Sequence, residues 1–393
     1  MRAPDKSASN QKLPVASAGA QSTEQPHLYY LVDWLPPEFG AVGQYAAIFA
    51  REYAECGRQV TLLGLTSGAP TRSFEEFPAG GSLEILKVHS PPFDKSGNAK
   101  RLIWAAQNNF RRIRTTLASK ASRRADVIFT GSPPFMLFFA ILLKPLRRAR
   151  LIYRITDFYP EVVIAALGKR PLLMRMLERI TWALRKQVDL FQALGEDQRR
   201  LLIEGGISAD RIMIKGDVPP VNISSSTIAA PRPERLSGKK LLLYSGNFGV
   251  AHEWITVAEG LIQYQSKGGQ FALWLNASGA GAKTIVNRLQ EANASYALTP
   301  PVHLDELPQV LAAADVHLIT LRPQFAGLVL PSKIYACIAS GRPILFVGPE
   351  NSDVHALCKA ANTLYERVEP GDIASFCAAL DRLNLTIAPS PAA

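Results

Sequence analysis

Leu241-Leu-Leu-Tyr-Ser-Gly-Asn-Phe-Gly-Val-Ala-His-Glu253 decides the fold. Leu241 to Tyr244 is a short apolar run, the mark of a strand buried on both faces of a parallel sheet. Gly246 and Gly249 then let the backbone turn tightly and approach a ligand closely. A helix is expected from about His252, with its free N–H groups and dipole available to an anion. A second unit of the same kind reads Gly327-Leu-Val-Leu-Pro-Ser-Lys-Ile-Tyr-Ala-Cys-Ile-Ala-Ser-Gly-Arg-Pro343, followed by the apolar run Ile344 to Val347. Pro331 and Ser332 are residues that open helices. Lys333 in the first turn opposes the helix dipole, so a bound phosphate is a reason for it to be there. Taken singly, each feature is also what an ordinary α/β turn or a solvated lysine provides. Two units in this order are what point to a diphosphate.

Working outward, apolar runs at His27–Val32, Val60–Leu65, Glu84–His89, Val127–Thr130, Leu151–Ile155 and Leu190–Ala193 alternate with helical stretches such as Gln44–Cys56 and Leu102–Lys120. Such alternation predicts a parallel sheet with helices on both faces. Pattern fades near Asp217-Val-Pro-Pro220, and Ser224 to Lys240 reads as a linker. Phe271–Leu275, Val316–Thr320 and Ile344–Val347 are the clearest strands of a second series. The expected division is a disordered tail over 1–26, a first domain over 27–218, a linker over 219–240, a second domain over 241–375 and a C-terminal helix and tail over 376–393. The tail has no apolar segment of the kind a signal peptide carries. Cys56, Cys337, Cys358 and Cys377 show no metal spacing and read as reduced thiols.

Charge is concentrated in the first half. Residues 1–220 hold 31 Lys+Arg against 20 Asp+Glu, whereas residues 221–393 hold 13 of each. Lys95 to Arg150 alone has 13 basic residues and one acid, Asp126. That half is expected to face something anionic. No zinc-finger spacing, basic heptad region or aromatic RNP pattern is present, so nucleic acid is not the expected partner. Phe135-Met-Leu-Phe-Phe-Ala-Ile-Leu-Leu143, followed by Lys144, Arg147, Arg148 and Arg150, is far short of the ~20 residues a spanning helix needs. It reads either as a buried helix or as an interfacial segment on an anionic membrane.

The whole pattern resembles family 4 glycosyltransferases, whose fold is called GT-B: two doubly wound Rossmann-like domains facing a cleft. Tyr29-Tyr-Leu-Val-Asp-Trp-Leu-Pro-Pro-Glu-Phe-Gly-Ala-Val-Gly-Gln-Tyr45 is similar to the family's opening strand and glycine loop. Ile48 to Leu65 is similar to its first helix and second strand. Leu311 to Leu318 matches the strand before the donor loop. Asp157-Phe-Tyr-Pro-Glu161 is similar to a segment of the subset that builds bacterial envelope sugars.

The resemblance implies metal-independent, retaining transfer from a nucleotide-diphosphate sugar, with UDP and an N-acetylated amino sugar expected, to a lipid-linked or saccharide acceptor. No cofactor is implied. It also implies a cytoplasmic protein peripheral on the inner face of the membrane, and a last helix, Ile373–Leu383, that crosses back to the first domain. On this reading Lys333 meets the diphosphate charge and Ser332 hydrogen-bonds there. Gly246, Asn247 and Gly249 give close backbone approach, and His252 and His89 are candidate sugar ligands. Gly40 and Gly43 form the facing loop, and Asp157 and Glu161 are candidates to orient the acceptor hydroxyl. For the histidines and carboxylates, purely structural roles remain open. The chain departs from the wider family at Leu328 and Ala336, where two glutamates are usual, and at Val250, often a basic residue. These departures keep two alternatives open: a non-catalytic GT-B partner protein, or a sugar-nucleotide epimerase of the same architecture.

Overall fold

The computed structural model describes residues 25–38, 40–91, 98–224 and 226–387. The expected terminal tails therefore lie almost wholly outside the described residues, as does Lys95. The first half contains β1 (Leu28–Trp34), α1 (Ala41–Glu55), β2 (Gln59–Thr66), β3 (Thr71–Glu76), β4 (Ser82–His89), α2 (Asn98–Ala118), β5 (Asp126–Thr130), α3 (Met136–Ala140), α4 (Leu143–Arg147), β6 (Arg150–Arg154), α5 (Glu161–Leu167), α6 (Leu172–Arg185), β7 (Leu190–Ala193), α7 (Glu196–Glu204) and β8 (Ile212–Ile214). Its eight strands lie in the order β3-β4-β2-β1-β5-β6-β7-β8, parallel except for β3.

The second half contains β9 (Lys240–Asn247), α8 (Ile255–Ser266), β10 (Phe271–Ser278), α9 (Ala280–Glu291), β11 (Tyr296–Thr299), α10 (Leu307–Ala312), β12 (Val316–Thr320), α11 (Lys333–Ala339), β13 (Ile344–Val347), α12 (Asp353–Ala360), β14 (Tyr365–Val368) and α13 (Ile373–Thr386). Its six parallel strands run β11-β10-β9-β12-β13-β14. In each sheet the order reverses beside the first strand, between β1 and β5 and between β9 and β12. A crevice opens at the carboxyl ends of the strands at such a reversal.

The central strands are buried end to end, which is why they read as unbroken apolar runs. β3 is the exception. All six of its residues are exposed, so no apolar pattern announced it. α1 buries Tyr45, Ala46, Phe49, Ala50 and Ala54 at helical spacing. It also lies unusually close to β1, because a Cβ on Gly43 would stand 1.8 Å from the Trp34 carbonyl oxygen.

The run Phe135–Leu143 divides into α3 and α4. Met136, Leu137, Ala140 and Leu143 are buried in the core, so the buried-helix alternative describes it. Several cations of the basic stretch are also committed internally. Arg112 is fully buried, donating to the Val32 carbonyl and to Asn109, and Lys144 pairs with Asp189 at 2.7 Å.

The final helix departs from the expectation that it crosses back. α13 stays on the second domain, where it packs on α8. The Phe376 ring lies over Gly260, where a Cβ would come within 2.4 Å. Lys240 Nζ donates to the Asn384 and Ile387 carbonyls at 2.8 and 3.1 Å, holding the helix's carboxyl end to the start of β9. The chain passes between domains just after a buried pair, Arg154–Asp217 at 2.6 Å. Val218 still packs on the first core and Val221 already packs on the second.

Close packing of α1 on β1 makes a paired prediction. Gly43→Ala forces helix and strand apart and should cost about 2–3 kcal/mol or more. Gly40→Ala, at an extended φ of 175° with nothing within 4 Å, should change stability by less than ~0.5 kcal/mol. Denaturation midpoints of the two variants measure the difference.

Candidate active site

β9 ends in Asn247 and its loop runs back beneath α8. Gly246 has φ +119°, a conformation that strains any other residue. Its backbone lies against Lys333 at the start of α11, where a Cβ on Gly246 would sit 3.7 Å from Lys333 Cε. Lys333 Nζ is buried, lies 3.3 Å from the centre of the Tyr244 ring and has no hydrogen-bond partner among the described residues. Burial holds its ammonium down, to about 7. The ring face offers partial compensation. A ligand anion would complete it.

His252 closes the same corner. Its ring packs on Tyr244 and Phe248. Nδ1 lies 2.9 Å from the Thr320 carbonyl oxygen, which can only accept, so Nδ1 carries the proton and Nε2 is a bare acceptor. Burial, then the Lys333 charge, pushes the imidazole down to about 3, so the ring stays neutral. Asn247 is exposed and its backbone oxygen accepts from Tyr244 OH at 2.8 Å. Gly249 follows in the loop. Ser332 caps α11 without a side-chain bond, and its carbonyl accepts from Tyr45 OH of the first domain at 3.3 Å.

The helix expected from His252 begins three residues later, at Ile255. One N–H of its first turn is engaged within the chain, because Glu253 Oε1 accepts from Thr256 N at 3.0 Å. Sequence reading missed a second cation. Arg322, just past β12, takes the Ala251 carbonyl through its own N–H at 2.8 Å and reaches the Val250 carbonyl at 3.4 Å. It stands beside the position where Val250 replaces a base, and a basic residue just past a buried strand was the available signal.

Across the cleft, Asp33 ends β1 and Asp157 follows β6, flanking the first domain's reversal point. Asp33 Oδ2 accepts from Ser132 Oγ at 2.5 Å, while Oδ1 is buried without a hydrogen-bond partner among the described residues. Burial raises the Asp33 carboxyl, and burial followed by the Asp33 charge raises Asp157 to about 6. Asp33 stood in the quoted opening segment, but nothing local distinguished it. Two carboxyls become a pair only when β1 and β6 are brought to one edge. The backbone of Asp157 bridges Val329, and Phe158 N donates to the Leu328 carbonyl at 3.0 Å. The acceptor-side segment thus touches the loop leading to Lys333.

Glu161 is engaged otherwise. Both its oxygens hold Arg185, which is fully buried between the Phe158 and Trp182 rings. That carboxylate neutralises a buried guanidinium, so both its oxygens already serve the fold. Gly40 lies at the open amino end of α1 facing the second domain, and Gly43 is consumed by the contact with β1. His89 is exposed at the end of β4, two strands away from β1, and bonds the Gly68 carbonyl at 2.8 Å. Leu328 is partly buried between the two domains, and Ala336 is buried in the second domain's core. Among the described residues no group of three or more His, Cys, Asp or Glu is placed to hold a metal ion. Cys337, Cys358 and Cys377 are buried free thiols, whereas Cys56 is exposed.

Asp157 yields a pH signature. A folded-state pKa of about 6, above the ordinary 3.8, means the native protein binds the extra proton between those values. Stability then falls as pH rises from about 4 to 6 and is flat above. Asp157→Asn should remove that loss, gaining about 1–2 kcal/mol over wild type at pH 7.5 and little at pH 4. Melting curves across this range test it.

Residues 40–216 match the family described as "Glycosyl transferase 4-like domain". The chain is 26% identical over 260 residues to the Pseudomonas aeruginosa "Probable glycosyltransferase WbjE". It is 22% identical over 249 residues to the Escherichia coli (strain K12) "Putative colanic acid biosynthesis glycosyl transferase WcaI". Each match spans 61% of this chain and 61% of the relative. An alpha,alpha-trehalose-phosphate synthase (UDP-forming) from Burkholderia vietnamiensis superposes with a TM-score of 0.60 over 92% of each chain at 12% identity. That last likeness is one of fold. Residues 40–216 thus carry a glycosyl transferase 4-like domain, and the two parallel-sheet halves together have the GT-B architecture.

Proposed function

We propose that this protein transfers a sugar from a nucleoside-diphosphate donor to an acceptor hydroxyl during envelope polysaccharide assembly. The observation that carries the reading is Lys333, a buried ammonium with no anion beside it, set against Gly246 at the β9/β12 reversal. The leaving group of such a transfer gains negative charge as the glycosidic bond breaks. A fixed cation in a water-poor site stabilises that charge far more than one in bulk solvent. Lys333 takes this role, and Arg322 supplies a second charge at the loop where Val250 stands. Ser332 and the backbone at Gly246, Asn247 and Gly249 line the diphosphate. His252 Nε2 accepts from a hydroxyl of the transferred sugar.

On the opposite wall Asp157 accepts from the acceptor hydroxyl and orients it toward the sugar. Gly40 lies at the mouth of that wall. The donor is UDP with an N-acetylated amino sugar, the acceptor is lipid-linked or saccharide, and the reaction is retaining and independent of metal. The UDP-forming relative of the same fold and the colanic acid relative support the donor and the pathway class. Ala336 and Leu328, in place of polar residues, favour a second reading, a GT-B protein that binds without catalysis.

Calorimetric titration with UDP, in chelator and then in magnesium, decides between them. Micromolar affinity unaffected by magnesium is expected, and absence of UDP and GDP binding would favour the second reading. Lys333→Met, which keeps the aliphatic stem, should fold normally and lose about 2–3 kcal/mol of UDP affinity. Unchanged affinity would remove Lys333 from the site. Free Lys333 titrates near 7, whereas a bound diphosphate holds it protonated. UDP binding should therefore take up a proton at pH 8, and affinity should fall by up to about tenfold per pH unit above 7. Titrations in buffers of different ionisation enthalpy read this directly.

A further inference from the structure

We propose that helix α6 docks the protein on an anionic lipid bilayer. Of the apolar run Phe135–Leu143, the structure buries Met136, Leu137, Ala140 and Leu143 in the core and leaves only Leu142 exposed. The exposed apolar surface lies instead on α6. Leu172 is 79% exposed, Leu173 63%, Met176 54% and Ile180 44%. On a helix wheel these four positions fall within about 100° of one another, on the side opposite the buried Thr181 and Arg185.

The charge beside this stripe is one-signed. Arg175 and Arg179 fall next to it on the wheel, Lys169 and Arg170 precede the helix, and all four are exposed. The only acid on α6, Glu178, is 19% exposed and lies 4.0 Å from Arg170, which leaves Lys169, Arg175 and Arg179 as the unneutralised cations of this face. An apolar stripe with flanking cations suits the boundary between headgroups and acyl chains, where the side chains insert and the cations meet phosphate. A protein partner of ordinary composition would not require charge of one sign.

Position supports the same partner. α5 and α6 join β6 to the parallel strand β7, so α6 returns from the carboxyl ends of the strands toward their amino ends. Leu172, Leu173 and Met176 are in its first two turns, on the edge of the sheet where Asp33 and Asp157 face the cleft. A bilayer under α6 would hold a lipid-carried acceptor at the mouth of that cleft. α6 also packs on α3, and α3 on α2 and α4, so the exposed Leu142, Leu146 and Phe110 belong to the same helical layer. Among the described residues no helix is long and apolar enough to cross a membrane, which leaves surface docking as the mode of contact.

The test is flotation of the full chain with vesicles of phosphatidylcholine alone or with phosphatidylglycerol added. Wild type should float with the anionic vesicles, and the bound fraction should fall several-fold in pure phosphatidylcholine or at high salt. The triple variant L172S, M176S, I180S changes only exposed side chains. It should keep its melting temperature and lose at least tenfold in vesicle affinity. The pair R175E, R179E should lose binding to anionic vesicles selectively. Failure of wild type to float, or a triple variant that floats like wild type, overturns the proposal. So does sedimentation showing that α6 closes a dimer that the triple variant breaks, with no lipid binding by either form. UDP titration on the same samples separates this inference from the donor-site reading: loss of UDP binding with flotation intact, or the reverse, strikes only one of them.

Discussion

An ammonium group taken out of water with no anion at its side is the constraint around which the second domain is arranged. Desolvation of a charge is expensive, and proteins normally pair it or let it neutralise. Here the Tyr244 ring face is the only close compensation for Lys333 within the chain's described residues. The rest follows from holding that group in place. β9 must end in a residue that tolerates a positive φ, so that the backbone passes the lysine without a side chain. The lysine stands at the β9/β12 reversal, where a crevice opens at the carboxyl ends of the strands. His252 is kept neutral by its bond to Thr320, which spares the site a second uncompensated cation. Glu253 engages one N–H at the start of α8.

The first domain contributes carboxyl groups under similar pressure. Burial disfavours the charge of both Asp33 and Asp157, and the nearby Asp33 carboxylate adds to the effect at Asp157. Opposed walls, one with a surplus cation and one with reluctant acids, give the cleft a steep polarity across a short span. Tyr45 to Ser332 and Phe158 to Leu328 cross that cleft, so the two walls are held in register by hydrogen bonds rather than by apolar packing alone.

What the sequence made legible follows a physical division. Buried parallel strands are apolar without interruption, so the doubly wound halves and the place where the chain leaves one for the other could be read from runs and breaks. Lys333 was legible because a base at a helix start is locally unfavourable and needs a cause. Asp33 was not, because its importance arises from a carboxyl on a strand nearly 125 residues away in sequence. Arg322 looked like an ordinary surface base until the loop at Val250 was folded against it. Glu161 carried the same letters as a site residue, yet Arg185 is brought to it by a helix turn that no short motif records. The same limit applies to apolar stretches: periodicity does not say which helix finds a core to cover it, and Phe135–Leu143 buries four residues whereas α6 leaves Leu172, Leu173, Met176 and Ile180 exposed.

The interface between the halves includes a reciprocal arrangement. Asp353 accepts from the N–H groups of Glu196 and Asp197 at the start of α7, and Asp197 accepts from Asp353 N at the start of α12. Each domain thus caps a helix of the other, while α13 remains with its own sheet and, among the described residues, the chain crosses only once, between Val218 and Val221. A genetic exchange with its breakpoint in those few codons would hand over one complete sheet with all its helices and cut no strand from its neighbours. The newcomer would have to supply an acid at each of two helix starts as well as the backbone contacts at Ser332 and Leu328. Architecture of this kind lets the two walls of the cleft diversify on separate evolutionary schedules.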